Sequence, residues 1–493
     1  MGRQVVGKIG RRRRVLSHNM MSRGVRTMRK IIRASYDAAS TTRNNERHWQ
    51  YTDAYSADAA NSYGVRKTIR ERARYEVGSN SYAKGIVETL ANDAIGRGPR
   101  LKILFEDERR AAEIEKRWKD WITYNNIPEK LRVMKKAKTV DGESFGLFTT
   151  NPNSELDNKL DLKVIECDRI TSPTLGLATS DNDIDGIILD DFGHVEKYMM
   201  LKTHPGDFGV SYGSDFAEVD PSSMIHWFRA DRPEQHRGLS ELTPALALFA
   251  MLRRYTLAVV DAAEAAANQS GVLKSTAPED VEIDDLEPLD PVELDRNVFT
   301  TLPMGWDIFQ MKAEQPTTTY GEFKKEILNE IARCLNMPRN IATADSSGYN
   351  YASGRLDHQT YDMAIEVEQS DAEIEILDPL FGAWWKEETL STGTREDIPP
   401  HMYLWTDRPH ADPVKEANAS ATKLASNLTN YAIEYAKNGH DWKTQLKQRA
   451  EELKFCAEND IPVPELAGPV DANASLIDAV TETIQESLTN AGL

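Results

Sequence analysis

The nearest approach to a nucleophile motif in this chain is a single GxSxG pattern, Gly209-Val210-Ser211-Tyr212-Gly213. A nucleophile elbow needs a strand before the serine and a helix after it. The residues that follow, SDFAEVDPSS, are polar, hold a proline and show no helical period, so the segment reads as a surface loop. Gly96-Arg97-Gly98 lacks the third glycine of a dinucleotide fingerprint and follows a helical pattern rather than a strand, so Gly96 reads as a helix cap. The acid pairs Asp183/Asp185 and Asp190/Asp191 have residue types that can hold Mg²⁺, but they sit where turns gather aspartate in any case. There is no GxxxxGK[ST], HExxH, CxxC or EF-hand pattern, and the 10 His have no metal-ligand spacing. The expectation is no catalytic residue, no metal and no cofactor.

Composition narrows the class further. The 493 residues are 40% hydrophobic and 28% charged, enough to bury a core and to form several domains. The 3 Cys are far apart (Cys167, Cys334, Cys456), which excludes a disulfide scaffold and fits a reducing compartment. The longest apolar stretch, Leu242 to Leu252, is too short to span a bilayer. The basic N-terminus has no apolar run of the kind a secretory signal carries. Net charge is −18, yet residues 1–33 hold eleven Lys/Arg and no acid, Arg11, Arg12, Arg13 and Arg14 among them, which leaves −29 on the rest. An acidic body with a basic arm is expected, the arm being either a solvated tail or a tether to an acidic partner.

The chain reads as helices first, then short strands. A helical period runs from Val65 to Ala94 with a break at Gly78-Ser79-Asn80, and another from Glu108 to Thr123 with Ile114, Trp118, Trp121 and Ile122 on one face. Strands are predicted at Ser144–Thr149, Leu160–Glu166, Gly186–Leu189, Val195–Leu201 and Met224–Phe228, with a hairpin turn at Asp190–Gly193. This order is that of an α+β module. Thr243-Pro244 is expected to open a long alanine- and leucine-rich helix reaching Gln269. A second helix is expected from Thr318 or Thr319 to Asn336, ended by Met337-Pro338. Between them lies an insertion whose segment Ala277–Asn297 carries nine acids against one base. Arg339–Gly354, rich in Ser, Gly, Asn and Tyr, is expected to be a loop. Helices are then expected at Arg355 to Ile376, Asp412-Pro413 to Asn438 and Asp441 to Asn459, with a strand at His401–Trp405.

The order of certain segments carries a resemblance. RERARY (70–75), SYAKGIVETL (81–90), IGRGPRL (95–101), WKDW (118–121) and VDGESFGLF (140–148) come first. LDLKVIECDRITSP (160–173), DGIILDDFGHVEKYMML (185–201) and MIHWFRADRPEQHRGLSELTPAL (224–246) follow. LNMP (335–338), DSSGYNYASGRL (345–356) and WTDRPHADPVKEA (405–417) complete the set. Collinear over residues 65–460, these segments resemble the lambda-type portal proteins of tailed bacteriophages.

The resemblance implies an α+β multidomain portal fold with an α/β wing, a two-helix stem, a small clip insertion, a tunnel loop and a helical crown. On this chain the parts fall as a basic arm (1–60), wing (61–238), first stem helix (239–270), clip (271–316), second stem helix (317–337), tunnel loop (338–354), wing closure and crown (355–465) and tail (466–493). It also implies a dodecameric ring at one capsid vertex of the virion, assembled in the host cytoplasm, through which double-stranded DNA enters and leaves. Its implied partners are the large terminase motor, a head-completion or adaptor protein, and the major capsid and scaffold proteins, with no membrane. Geometry agrees: about twelve helices spaced about 10 Å apart enclose a clear channel of roughly 28 Å, wider than a duplex of roughly 20 Å. An acidic wall suits a conduit, because neutralised phosphates are what strengthen DNA binding.

Site expectations follow from these parts. Ser346, Ser347, Tyr349, Asn350, Tyr351 and Ser353 are expected to line the tunnel loop, the two tyrosines sharing a side if the segment is extended. Asp284, Asp285 and Glu287 are expected to dock the motor, and Arg11 to Arg14 to bind acidic partners. The competing readings are a metal-dependent phage hydrolase or nuclease, and a head-assembly protein that forms no ring.

Overall fold

The computed structural model describes residue 43 and residues 46–462, apart from 175, 177–179, 181, 208–214, 268–270, 276–305, 311–318, 349–350, 392, 395 and 407–412. The chain divides into two units at Ala60/Asn61. In the first, the described residues form turns and one helical turn, Ala57–Ala60; Arg11, Arg12, Arg13 and Arg14 lie outside the described residues.

The second unit opens with helices α1 (Tyr63–Ser79) and α2 (Ser81–Ala94), divided at Asn80. The Asn80 side chain accepts from the Tyr82 and Ala83 N–H groups, so one residue ends α1 and caps α2. Gly96 adopts φ +53° just past α2, the expected left-handed cap. Strand β1 (Arg100–Ile103) leads to helix α3 (Glu108–Tyr124), capped by Asp107. Helix α4 (Ile127–Asp141) was not expected. Its Lys135 and Lys138 lie on the buried side and disguise its apolar face.

The strands are β2 (Glu143–Thr150), β3 (Leu160–Ile165), β4 (Asp183–Ile184), β5 (Ile187–Leu189), β6 (Val195–Leu201), β7 (Phe216–Val219) and β8 (Met224–Phe228). They form two antiparallel sheets, β3-β2-β8 and β4-β5-β6-β7. The expected hairpin turn joins β5 to β6, and Asp190 Oδ1 accepts from the Phe192 and His194 N–H groups there. β1 pairs with a strand about 300 residues later, β11 (His401–Leu404).

Helix α5 runs Leu246–Ala267, preceded by a 3₁₀ turn at Thr243–Ala245. Thr243 is not its N-cap: the hydroxyl donates back to the Ser240 carbonyl at 2.6 Å. Strands β9 (Gly271–Ser275) and β10 (Trp306–Gln310) pair antiparallel, and helix α6 covers Thr319–Arg333. Helix α7 (Arg339–Thr343) precedes helix α8 (Tyr351–Ala372). α8, expected to end at Ile376, runs through a π turn at Glu373–Leu377 into helix α9 (Asp378–Ser391). Pro379 lacks an N–H and crowds the preceding turn, and the widened π turn accommodates it. The single helix expected from residue 413 to 438 is two, α10 (Pro413–Ala425) and α11 (Tyr431–Lys437), because Asn427 takes φ +54° and Asn430 caps a new start. Helix α12 (Trp442–Glu458) is capped by Asp441.

The main core joins α2, α3, α4, the start of α5, the end of α6, α8 and α9. Trp118 sits at its centre, 5.2 Å from both the Trp121 and Trp384 rings and edge-on to Phe381 at 5.3 Å. A smaller core under the four-stranded sheet gathers Phe145, Ile165, Ile187, Tyr198 and Met200. Among the described residues no helix is long and apolar enough to cross a membrane.

Candidate functional site

Helices α5 and α6 lie side by side. Tyr255 packs on the Tyr320 and Phe323 rings at 5.6 and 5.0 Å, and the Tyr320 hydroxyl donates to Thr256 Oγ1 at 3.1 Å. At 1.5 Å per residue, the 22 residues of α5 make a rod of roughly 33 Å. Past its C-terminal end, β9 and β10 pair from Gly271↔Gln310 to Ser275↔Trp306. This ladder brings the two ends of the acidic segment together. Asp284, Asp285 and Glu287 themselves lie outside the described residues.

The other end of α6 leads to a sharp turn. Asn336 takes φ +53°, Met337 N–H donates to the Ala332 carbonyl at 3.1 Å, and Pro338 begins α7. The loop expected over residues 339–354 is therefore shorter: 339–343 are helical, and α8 has begun by Tyr351. The first part folds because Ala342 and Asn340 are buried, the Asn340 amide meets His358 at 2.9 Å, and Thr343 Oγ1 donates to the Arg339 carbonyl. Ala344 at φ +52° ends α7. Asp345 then accepts from the Ser347 N–H at 2.9 Å, and the Ser347 side chain and backbone hold its carboxyl below the ordinary value. Ser346 and Ser347 are exposed in this turn, and Gly348 takes φ +82°. Tyr349 and Asn350 lie outside the described residues. Tyr351 and Ser353 belong to the first turn of α8, so the extended geometry expected for the two tyrosines does not hold at Tyr351. A cleft of about 420 Å³ lined by Glu330, Arg333, Arg339 and Asp357 flanks the turn.

Two buried ion networks that the sequence reading missed hold these elements on the body. In the first, Lys135 and Lys138 of α4 meet Glu368 of α8 at 2.9 and 2.7 Å, and Glu241, just before α5, at 3.4 and 3.3 Å. Burial alone would raise the Glu241 carboxyl, but the two ammonium groups pull it down to about 2. Trp227 presents its face to Lys138 Nζ at 5.0 Å. One junction thus ties the start of α5 to the helix that follows the turn.

In the second, Arg66, Arg70 and Arg74, four residues apart on α1, face a row of acids. Arg66 pairs with Asp185, Arg70 meets Asp168 at 2.9 Å, and Arg74 meets Asp141 and Asp168 at 2.7 Å each. Arg237 meets Glu143 at 2.6 Å and Asp185 at 3.3 Å. Glu143 is fully buried; burial would raise it, but Arg237 and His226 hold it well below the ordinary value. The legible signal was the Arg66/Arg70/Arg74 spacing, which places all three on one helix face.

These pairings decide the chemistry of the acid pairs. Asp185 belongs to Arg66 and Arg237, and Asp183 accepts from the Ser172 hydroxyl and the Gly186 N–H. Among the described residues Glu166, Asp168 and His204 are grouped closely enough for a metal ion. Asp168 is already bound by two arginines, and His204 Nε2 lies 2.9 Å from Glu166. Residues 209–213, with Ser211, lie outside the described residues.

Residues 42–369 match the family model described as phage portal protein, lambda family. No curated protein matches the chain. Among solved structures, the neck of an empty GTA particle computed with C6 symmetry aligns at 14% identity and TM-score 0.45, covering 72% of this chain and 89% of that one. The neck of a native GTA particle computed with C12 symmetry aligns at 15% identity and TM-score 0.42, covering 72% and 87%. An HK97 family phage portal protein from Corynebacterium diphtheriae aligns at 14% identity and TM-score 0.31, covering 62% and 89%. The family model spans well over half of the sequence, and on that match the chain belongs to the lambda family of phage portal proteins, structural proteins of the virion that form a ring and conduct DNA.

Proposed function

We propose that about twelve copies form the ring, with the α5/α6 pairs as its stem, the turn at 344–350 as the narrowest part of the channel and the acidic segment 276–305 as the docking site. The observation that carries this reading is the continuity of the parts. Two paired helices are closed at one end by the β9/β10 ladder and run at the other end, within about a dozen residues, into the exposed Ser346-Ser347-Gly348 turn. Uncharged hydroxyls at that turn touch phosphates without holding them. Asp284, Asp285 and Glu287 would meet the terminase motor and later the head-completion protein. Arg11 to Arg14 would bind scaffold, capsid lattice or DNA during assembly in the host cytoplasm.

Deleting Asp345–Tyr349 tests the channel assignment. Rings of normal size are expected, in heads that fail to package or to retain DNA. Heads that fill and hold a full genome contradict it. Incubating the purified protein with Mg²⁺ and linear DNA separates this reading from a nuclease, which would shorten the DNA.

A further inference from the structure

Helix α8 has two apolar faces. Tyr361, Ile365 and Ala372, with Ile376 in the following π turn, form one face and are buried in the main core. On the opposite face Leu356, Met363, Val367 and Ile374 are 66%, 67%, 60% and 63% exposed. Spacings of seven and four residues place Leu356, Met363 and Val367 within roughly 20° of one line along α8, over roughly 17 Å, and Ile374 follows in the π turn. A helix that is apolar on opposite faces is a helix packed on both sides. Among the described residues, only one side is covered. Scattered exposed apolar residues are ordinary, but three in line along a helix with a fourth in the turn that continues it make a contiguous patch. The exposed acids Glu366 and Glu375 flank the row.

We propose that this row is a subunit contact, covered by the outer face of α1 of a second copy of the chain. The inference rests on the ring reading and names the surfaces that close it. A ring of more than two copies needs two different, complementary faces on each chain. The outer face of α1 supplies the second. Val65, Arg72 and Tyr75 are exposed there at spacings of seven and three, on the side away from Arg66, Arg70 and Arg74. Val65 and Tyr75 offer apolar surface, and the Arg253 guanidinium stacks on Tyr75 at 5.0 Å. Among the described residues Arg72 has no ion-pair partner, and it is the charge that the Glu366 side of α8 requires. Helix α2 packs against α1 and, through Asp93 and the Ala94 carbonyl, against Tyr361 and Gln369 of α8. The two faces are therefore separate surfaces of one body, as head-to-tail closure demands.

The test uses the full chain and two readouts. Met363→Glu with Val367→Glu changes only exposed positions, so the circular dichroism of the chain is expected to be unchanged. Light scattering is expected to show loss of the ring to single 55.5-kDa chains. Arg72→Glu is expected to weaken the ring, and adding Glu366→Arg to restore it. Separately, Arg72→Cys with Val367→Cys is expected to give a ladder of cross-linked chains under oxidation that neither single variant gives. A wild-type chain that never assembles overturns the ring reading and this inference with it. A wild-type ring that survives the double glutamate change at full yield, or that gives no ladder, overturns this inference alone. A ring variant whose row is protected only while residues 463–493 are present assigns the row to the chain's own tail and overturns the second-copy assignment.

Discussion

The body around α1–α4 and the elements that leave it satisfy their side chains in opposite ways. In the body, charge is buried and paired within the chain: Glu143 is enclosed by Arg237, Arg70 and His226, and Glu241 by Lys135 and Lys138. In α5, α6 and α8, apolar groups remain in water, among them Met251, Leu257, Val260, Phe323 and Met363. Helices α11 and α12 bury no residue at all. The difference separates charge that is satisfied within one chain from apolar surface that, in the proposed ring, other copies cover. Buried ion pairs require every partner in place, so the body must be rigid before assembly. Exposed apolar rows require only a complementary surface.

The sharpest way to break the comparison is to unpair the body. Glu143→Ala takes from the buried Arg237 its nearest carboxylate and from Arg70 its second, and a loss of about 3–5 kcal/mol is expected in chemical denaturation of the chain. A change under about 1 kcal/mol would mean the network is dispensable and the body is not defined by it.

Acid should probe the lysine–glutamate network around Glu241 more gently. The Glu241 carboxyl lies at about 2 against an ordinary 4.5. A depressed carboxylate stabilises fully above its unfolded value, and that stability is lost as pH falls through the folded value. Denaturation midpoints are therefore expected to be flat above about pH 5 and to fall between about pH 4.5 and 2. Glu241→Gln should remove part of that slope; an unchanged slope assigns the acid sensitivity to other groups.

The smallest effect is expected on the opposite side of the comparison. Leu257→Ser on α5 should change the stability of the dissociated chain by no more than about 0.5 kcal/mol, as for an ordinary surface position. A loss of several times that would show that Leu257 is already packed within one chain.

Much of the fold was legible where punctuation is local. Asn80 divides α1 from α2, Gly96 stops α2, and Asp190 to Gly193 turns β5 into β6 because those residue types serve those backbone conformations. What could not be read depends on distant partners. The β1–β11 pair joins Arg100 to Leu404, and no pattern in either stretch names the other. Helix α4 was hidden because Lys135 and Lys138 look solvent-facing until Glu241 and Glu368 are placed beside them. The turn after α7 was read as too long because Ala342 and Asn340 find burial only against elements elsewhere in the fold.

Hydrogen exchange read by mass spectrometry, on the ring and on the dissociated chain, tests the division most directly. Amides of α4 and β2 are expected to be equally protected in both states, while those of α5, α8 and α12 gain protection in the ring. Equal protection of α5, α8 and α12 in the two states, or a gain spread evenly over the body, would contradict it.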